Sequence, residues 1–139
     1  MKINSEIKLT LVSKSDAKFL YDLLKGRESN VNISHKKMPT YAQHIKFIES
    51  KPYSKWYIIR LGNQKIGSAY LSKQDEIGIF ITKNMHAKKI GTIALNILIK
   101  KNRRKRYLAN INPKNKKSIS FFKKNGFELI QHTFELELS

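Results

Sequence analysis

INPKNKKSISFFKKNGF, residues 111–127, is the stretch of this sequence that decides the fold. The Asn-Pro pair at 112–113 predicts the end of a strand, because proline fixes φ and pushes the preceding residue out of helical space. A helix of about three turns then begins at residue 115 or 116. Its residues at near-helical spacing are Ser118, Ile119, Phe121, Phe122 and Phe127. The Asn-Gly pair at 125–126 predicts the helix end, since it supplies the left-handed residue found there in many helices.

A second strand-to-helix passage precedes this one. The sequence EIGIFIT, which begins at Glu76, alternates or runs apolar with β-branched residues and predicts a strand of about six residues. After an exit loop, apolar residues recur at helical spacing, so a helix is predicted to begin at Lys89 or Ile90 and to end near Lys101. The free N–H groups and the positive dipole end of a helix N-terminus attract anions. Gly91 would let a phosphate approach the backbone closely.

Both passages resemble motifs of the GCN5-related N-acetyltransferases (GNAT). That family carries Q/R-x-x-G-x-G/A between a strand and a helix, and residues 86–91, HAKKIG, stand at that place. Gly91 matches the pattern, whereas His86 replaces the usual Gln or Arg and Lys89 replaces the usual first glycine. The family's later motif, N-x-x-S-I followed by an aromatic residue and K-x-G-F, is matched by Asn115, Ser118, Ile119, Phe122, Lys124, Gly126 and Phe127. The resemblance covers most of the chain from about Lys8 onward.

The resemblance implies an α/β (α+β) fold with a central mixed, mostly antiparallel sheet of about six to seven strands and about four flanking helices. Its fourth and fifth strands splay apart and leave a cleft for a thioester. The rest of the sequence agrees with this order. It predicts a strand over residues 7–12, then a helix that Gly26 ends and a helix opened by the capping pair Thr40 and Gln43. Further strands are predicted over residues 54–61 and 65–72, joined by a tight turn at Gly62-Asn63. Two short strands are predicted around residues 131–133.

For activity, the resemblance implies transfer of an acetyl (acyl) group from acetyl-CoA, the cosubstrate, to a primary amine. The backbone of Phe80, Ile81 and Thr82 would pair with the pantetheine arm like a further strand. The pyrophosphate would lie in the loop formed by Lys88, Lys89, Ile90, Gly91 and Thr92. Further cofactor contacts would come from Asn115, Ser118, Phe122 and Lys117 or Lys124. Without the resemblance, Asn115 is equally an ordinary helix N-cap and Ser118 a first-turn polar residue.

The nucleophilic amine must be neutral, so a general base is expected near the acceptor end of the cleft. Glu76 is the first candidate, because it opens the cofactor strand roughly where some family members carry a basic glutamate. The alternative is an ordinary carboxylate at a strand start, and the neighbouring Asp75 is predicted to be a solvated turn residue. Weaker candidates for the base are His35, His44 and His86.

Phe122 stands where the family usually has a tyrosine, whose hydroxyl protonates the departing CoA thiolate. Phenylalanine cannot donate that proton. Either Ser118, a tyrosine such as Tyr70 or a water serves as the acid, or the thiolate leaves unassisted. A non-catalytic binding protein is a further interpretation.

Composition agrees with one small domain over residues 1–139, which the resemblance implies is a single acyltransferase domain. The chain has no cysteine, which excludes a disulfide framework and a thiol nucleophile and makes the cytoplasm the simplest location. No signal peptide or membrane span is expected, because the apolar runs are far shorter than about 18 residues. The four histidines are scattered, so no metal site is predicted.

The formal net charge is +18, and its distribution is uneven. No acidic residue lies between Glu76 and Glu128, whereas 14 of the 28 Lys and Arg residues lie there. The phosphates of CoA account for only some of this charge. The run KKNRRKR, from Lys100 to Arg106, is either a solvated helix end or a docking patch for RNA, a ribosomal surface or an acidic protein.

The sequence gives the least information about the amine that accepts the acetyl group. Residues 35–57 are rich in aromatic side chains that are expected mostly in the core, with Tyr41, His44 and the later Tyr70 as weak substrate-binding candidates. The preferred acceptor is a small-molecule amine, for which a nucleotide-linked amino sugar would suit the basic surface. The first alternative is an acetyltransferase that acts on a protein N-terminus, a ribosomal protein or aminoacyl-tRNA docked on residues 100–106. The second alternative is a non-catalytic module that binds nucleic acid or CoA. A monomer or a homodimer without membrane contact is expected.

Overall fold

The computed structural model describes residues 6–26, 38–85 and 89–138. Its strands are β1 (Ile7–Leu11), β2 (Lys55–Leu61), β3 (Gln64–Leu71) and β4 (Ile77–Ile81). Its helices are α1 (Ala17–Lys25), α2 (Tyr41–Glu49), α3 (Ile90–Lys101) and α4 (Lys116–Lys124). Among the described residues, no helix is both long enough and apolar enough to span a membrane.

The four strands form one antiparallel sheet in the order β1-β2-β3-β4. The β2–β3 hairpin turns at Gly62 and Asn63 as predicted, and the φ of +61° at Gly62 is a conformation that glycine adopts without strain. The capping box at the start of α2 is also confirmed, because Thr40 Oγ1 accepts from Gln43 N–H at 3.1 Å and Gln43 Oε1 accepts from Thr40 N–H at 2.9 Å.

Helices cover both faces of the sheet. On one face, α3 and α4 bury a cluster that includes Ile59, Leu71, Leu95 and Phe122. On the other face, Ile58 packs with residues of α1 and α2. Because Ile58 and Ile59 are both fully buried and point to opposite faces of β2, the sheet lies between two apolar layers.

A buried ion pair joins the entrance of α1 to the sheet. Asp16 is 2% exposed, and its carboxylate lies 2.7 Å from Lys65 Nζ and 4.0 Å from an Arg60 guanidinium nitrogen. Burial acts to raise the pKa of Asp16, but the hydrogen bonds from Lys65 and Ser13 outweigh it and hold that pKa below its usual value.

Beyond β4, the sheet splits. Glu76 and Leu108 form an isolated parallel bridge, in which Ile77 N–H donates to Leu108 C=O at 2.7 Å and Leu108 N–H donates to Asp75 C=O at 2.9 Å. Among the described residues, the pairing stops there, and the segment after Leu108 runs on to α4 as irregular chain. A gap therefore begins beside β4 directly after the bridge, as the family resemblance implied.

The predicted fold class is confirmed, although the number of strands differs from the prediction. The part of the chain that is described has four strands in its ladder rather than six or seven, and residues 127–138 contain no strand. The alternating sequence of this segment suits a strand, but no strand lies beside it within residues 6–26, 38–85 and 89–138. A strand needs a hydrogen-bonded partner as well as a suitable sequence.

Candidate active site

The N-terminus of α3 lies after the end of β4, as predicted. Its N-cap, Lys89, has φ 58° and ψ 14°, the left-handed conformation. The family's usual glycine at this position is thereby explained, because glycine adopts this conformation without the cost that a side chain imposes. The predicted cofactor residue Lys88 and the histidines His35 and His86 lie outside the described residues.

Gly91 lies where α3, α4 and β4 meet. A Cβ at this position would be 2.9 Å from Phe121 Cε1 and 3.7 Å from Ile81 Cδ1. The first of these distances is shorter than real contacts of a Cβ, so a larger residue would displace the Phe121 ring. Close packing of the two helices is therefore a sufficient reason for glycine here, in addition to the predicted approach of a phosphate.

The N-terminus of α4 is held by its cap. Asn115 Oδ1 accepts from Ser118 N–H at 3.2 Å, and Asn115 Nδ2 donates to Ser118 Oγ at 2.9 Å. The N-cap prediction for Asn115 is confirmed. Because Ser118 Oγ accepts in this bond, its own proton remains available for another acceptor. The side chains of Lys117 and Lys124 are exposed.

The two helices are also joined at the far end of α4. Asn125 Nδ2 donates to Phe121 C=O at 2.9 Å and to Thr92 Oγ1 at 3.4 Å. Thr92, a predicted cofactor residue in the first turn of α3, thus contacts α4 through its hydroxyl. The contact fixes the first turn of α3 relative to α4.

Phe122 is a core residue. It is 8% exposed, and its ring makes edge contacts with Phe121 and Phe127 at 5.0 Å between centroids. These contacts account for a phenyl group at this place, and its side chain has no proton to give a leaving thiolate.

Glu76 lies at the closed end of the gap with its carboxylate fixed. Oε1 accepts from Ser72 Oγ at 3.0 Å, and Oε2 accepts from Asn110 Nδ2. The backbone N–H of Glu76 also donates to Ser72 Oγ, at 3.0 Å. Asn110 and Ser72 therefore belong to the site, although nothing in the sequence singled them out, because the link depends on the Glu76–Leu108 bridge that brings distant segments together.

Backbone hydrogen bonds decide which groups of β4 face the gap. Thr82 N–H donates to Ile66 C=O at 2.9 Å, and Ser72 N–H donates to Glu76 C=O at 2.8 Å. In an antiparallel pair, successive residues alternate between directing their polar groups toward the partner and away from it. Even-numbered residues from 76 to 80 therefore direct their backbone groups to β3, and so does the N–H of Thr82, whereas Thr82 C=O accepts from Met85 N–H at 2.9 Å.

Ile79 and Ile81 consequently direct their backbone N–H and C=O groups toward the gap. Of the three residues predicted to pair with pantetheine, only Ile81 lies at such a position, because Phe80 and Thr82 belong to the set that faces β3. Ile79 was not singled out from the sequence. The register of the β3–β4 pair, which the sequence does not contain, is the missing information.

Aromatic side chains form a wall on the α1–α2 face of the sheet. Tyr70 lies opposite Gly78 in the β3–β4 register, and a Cβ at Gly78 would overlap the Tyr70 ring. The Tyr53 ring stacks on Tyr70 at 4.0 Å and 7°, and Phe80 lies 6.2 Å from Tyr70. Since alternate residues of a strand share a face, Glu76 and Phe80 lie on the same face as this wall.

Tyr41 and His44 lie in a second aromatic cluster, between α1 and α2. The Tyr21 ring is 5.2 Å from Tyr41 and 5.3 Å from His44. His44 is 5% exposed, whereas Tyr41 borders a shallow surface pocket of about 320 Å³ with Lys18, Tyr21, Asp22 and Lys25. A buried imidazole within an aromatic cluster suits packing better than proton transfer to a substrate.

The basic run at residues 100–106 follows the C-terminus of α3. Asn102 is buried and donates from Nδ2 to Tyr57 Oη at 3.0 Å, which anchors the turn. Arg104 Nε lies 3.1 Å from Asp75 Oδ1, so one cation of the run is paired. The cationic residues of the run are all exposed. Among the described residues, no group of three or more His, Cys, Asp or Glu could hold a metal ion.

The chain matches the acetyltransferase (GNAT) family over residues 18–127. No curated protein matches it. Among solved structures, a domain from Methanocaldococcus jannaschii DSM 2661 is similar with a TM-score of 0.81 and 23% identity, over 93% of this chain and 92% of that one. Mutant forms of the spermidine/spermine N-acetyltransferase SpeG from Vibrio cholerae give a TM-score of 0.72 and 16% identity, over 92% and 83% of the two chains.

The ribosomal L7/L12 alpha-N-protein acetyltransferase RimL, solved in complex with coenzyme A, is similar with a TM-score of 0.74 and 14% identity, over 94% of this chain and 84% of that one. Likeness at these identities shows the fold, and the family match adds the sequence pattern along most of the chain. The protein belongs to the GNAT family of acetyl-CoA-dependent N-acetyltransferases.

Proposed function

We propose that this enzyme transfers an acetyl group from acetyl-CoA to the primary amine of a small molecule, with Glu76 as the general base. The observation that carries the proposal is the position of the Glu76 carboxylate at the Glu76–Leu108 bridge, where the gap beside β4 begins. The backbone edge at Ile79 and Ile81 leads from this carboxylate toward the N-terminus of α3, so one extended ligand can contact all three.

The residues of the gap divide the binding of the cosubstrate between them. The backbone groups of Ile79, on the edge of β4 that continues to Ile81, would hydrogen-bond the pantetheine arm, in the way an added strand pairs with a sheet edge. The N–H groups at the start of α3 would bind the pyrophosphate. The exposed Lys117 or Lys124 and the Ser118 hydroxyl lie on α4, where they would contact the phosphates and the arm.

Glu76 would take the proton that the amine loses, directly or through one water. The amine nitrogen attacks the thioester carbonyl carbon, a C–N bond forms, the C–S bond breaks, and CoA leaves as the thiolate. Asn110 and Ser72 each donate a hydrogen bond to the carboxylate and so hold it in one orientation. Since Phe122 has no acidic proton, the thiolate leaves unassisted or takes a proton from the Ser118 or Tyr70 hydroxyl.

The test uses the fact that the chain has no cysteine, so a thiol reagent reports released CoA alone. Acetyl-CoA should raise the melting temperature, by an amount equivalent to about 2.7 kcal/mol at 100 times Kd. A panel of amines then identifies the acceptor by thiol release. Glu76→Gln should lower kcat by about 10²–10⁴-fold while keeping the acetyl-CoA shift, because only proton transfer is lost.

The matched control for Glu76→Gln is Asp75→Asn, which removes the neighbouring carboxylate that pairs with Arg104 instead of lining the gap. It should keep kcat within about threefold, as is usual for an exposed ion pair worth less than about 1 kcal/mol. No melting shift at millimolar acetyl-CoA would overturn the assignment of the cosubstrate. Equal activity of Glu76→Gln and the parent would remove Glu76 from the mechanism.

A second candidate acceptor is a macromolecule, namely a protein N-terminus, a ribosomal protein or aminoacyl-tRNA. The observation that supports it is the exposed run of cations at residues 100–106. RimL, whose structure is similar, is by its name an acetyltransferase of ribosomal L7/L12. Salt-sensitive binding of tRNA together with acetylation of aminoacyl-tRNA or a peptide amine, and no turnover of small amines, would favour this candidate. Binding of CoA or RNA without any turnover would favour a non-catalytic protein.

A further inference from the structure

The side chain of Tyr70 reaches from β3 across the neighbouring strand. Tyr70 lies opposite Gly78 in the β3–β4 register. A Cβ built on Gly78 would overlap Cε2 and Cζ of the Tyr70 ring and would lie only 2.7 Å from its Oη. The outer end of the ring, with the hydroxyl, therefore lies above β4 and occupies the space that a side chain at residue 78 would fill.

This position brings the Tyr70 hydroxyl to the border of the gap. Neighbouring strands lie about 4.8 Å apart, and Oη is the outermost atom of a ring that has already spanned this distance. Beyond β4, the pairing of the described residues ends at the Glu76–Leu108 bridge. At residue 78 the next space beyond β4 is therefore the gap, and the backbone groups of Ile79 that face the gap are one residue away.

Along the gap, the hydroxyl lies on the cosubstrate side of Glu76. Alternate residues of a strand share a face, so Glu76 and Gly78 project from the same face of β4, about 7 Å apart. The gap begins at Glu76, and β4 leads from there toward the N-terminus of α3, where the phosphates are proposed to bind. The Tyr70 hydroxyl thus lies between the carboxylate and the phosphate site. This order suits the reaction, because a base is needed at the amine and an acid at the sulfur that joins the acetyl group to the rest of CoA.

Aromatic contacts hold the Tyr70 ring in place. The Tyr53 ring stacks on it at 4.0 Å and 7° and is itself packed edge-on against Trp56 at 4.9 Å. Phe80, which follows Gly78 on the same face of β4, lies 6.2 Å from Tyr70. The stacked ring and the close approach to Gly78 leave Tyr70 little room to turn. A group held in this way needs no reorganisation during the reaction, which is typical of preorganised catalytic sites.

Ser118, the other candidate for the acid, is placed less favourably. It lies in the first turn of α4, a helix that covers the opposite face of the sheet. Its Oγ already accepts from Asn115 Nδ2 at 2.9 Å. A phenol is also a much stronger acid than the alcohol of a serine, so Tyr70 is the better proton donor to a thiolate.

We propose that Tyr70 is the general acid of the reaction. Its hydroxyl donates its proton to the CoA sulfur as the C–S bond breaks, while Glu76 takes the proton that the attacking amine loses. That second proton then passes from Glu76 to the Tyr70 oxygen, directly or through one water, so both side chains regain their starting states and CoA leaves as the thiol. This assignment rests on the proposed function. It supplies from β3 the phenol that Phe122 lacks on α4.

The first experiment is Tyr70→Phe, which keeps the ring and its stack on Tyr53 and removes only the hydroxyl. With the amine identified by thiol release, kcat and kcat/KM should fall together by about 10²-fold or more, because the contact with the leaving sulfur is made only in the transition state. The melting shift with acetyl-CoA should match that of the parent. A higher KM with an unchanged kcat would make Tyr70 a binding residue and overturn the assignment.

The matched control for Tyr70→Phe is Tyr57→Phe. The Tyr57 hydroxyl accepts from Asn102 on the face covered by α3, and β3 separates its strand from β4. This variant should keep kcat within about threefold of the parent. An equal loss of kcat in the two variants would assign the effect to packing of the sheet rather than to proton donation, and Tyr70 would not be the acid.

The second experiment moves the hydroxyl instead of removing it. In Gly78→Ala the new Cβ would overlap the Tyr70 ring and force it off β4, so kcat should fall by about tenfold or more. The same change made in Tyr70→Phe should lower kcat by less than about threefold further, because no hydroxyl remains to be displaced. Two effects that simply multiply would contradict the assignment. If Gly78→Ala does not fold, Tyr70→Phe, which adds no volume, still decides.

The acetyl-CoA melting shift separates this assignment from the proposed function. A parent that shows the shift and acetylates an amine, together with an equally active Tyr70→Phe variant, would remove Tyr70 alone and leave the proposed function standing. A parent without the shift would overturn both, because no CoA thiolate would then leave.

Discussion

At the scale of single residues, Lys89 combines a position in the proposed cofactor site with conformational strain. Its left-handed φ of 58° costs a residue with a side chain about 1–2 kcal/mol, which glycine avoids. Lys89→Gly should therefore raise the free energy of unfolding, by about 0.5–1 kcal/mol because glycine also loses more entropy on folding. Chemical denaturation measures this change.

The control for this change is Lys100→Gly, which removes an exposed lysine from the regular last turn of α3. Glycine there should lower the free energy of unfolding by about 1 kcal/mol. From backbone conformation alone, we expect the two variants to change the free energy of unfolding in opposite directions. Destabilisation by both would mean that the Lys89 side chain makes a contact worth more than the strain.

Asp16 is the residue that should link stability to pH. Hydrogen bonds from Lys65 and Ser13 hold its pKa below its usual value despite burial, so its contribution is fully present above the unfolded pKa of about 3.9 and is lost as pH falls through the lower folded pKa. Asp16→Asn should cost about 1–3 kcal/mol at pH 7, because the Lys65 ammonium loses its partner.

Urea denaturation at a series of pH values tests both statements. The parent should lose stability steeply below about pH 4, and Asp16→Asn should show a smaller slope in that range. Asp22→Asn is the control, because Asp22 pairs with Lys18 on the exposed surface of α1 and should change stability by less than about 0.5 kcal/mol. Equal slopes for the parent and Asp16→Asn would assign the acid sensitivity to other carboxylates.

At the scale of elements, the contact of α3 with α4 through Gly91 should be the most sensitive to added volume. Gly91→Ala introduces a Cβ only 2.9 Å from Phe121 Cε1 and should destabilise the protein by about 1–3 kcal/mol. Phe121→Leu removes the ring that the Cβ meets. The double variant should therefore be more stable than the sum of the two single effects predicts, and a double-mutant cycle measures this coupling. Strict additivity would show that the cost lies in the backbone of the helix start.

The helix ends were the part of the structure most fully determined by local sequence. The limits of α3, the Asn115 cap and the Thr40–Gln43 box were predicted correctly because each depends on residues within one turn. The roles of Asn110 and Ile79 could not be predicted, because they depend on which strand lies beside which and in what register. The two short strands predicted around residues 131–133 are absent for the same reason. A strand forms only when a second segment pairs with it, and the local sequence does not show which segment that is.

At the scale of the whole molecule, two of the positively charged surfaces lie at the two ends of one helix. The candidate cofactor site lies at the N-terminus of α3, and the basic run at residues 100–106 follows its C-terminus. A helix of 12 residues is about 18 Å long, more than twice the screening length of about 8 Å at physiological salt. The two surfaces should therefore act independently in physiological buffer.

This separation predicts how charge reversal will act. If RNA is the partner of the basic run, its retention by the triple variant Arg103→Glu/Lys105→Glu/Arg106→Glu should fall at least tenfold at about 0.15 M salt, because each lost phosphate contact reduces both affinity and salt dependence. The Kd for acetyl-CoA should change less than twofold. Lys117→Glu/Lys124→Glu, on α4, should give the reverse result, a several-fold weaker Kd for acetyl-CoA with the smaller effect on RNA. If the triple variant weakens the binding of RNA and of acetyl-CoA equally, the positive charge acts as one field. The basic run would then serve the cosubstrate rather than a macromolecular partner.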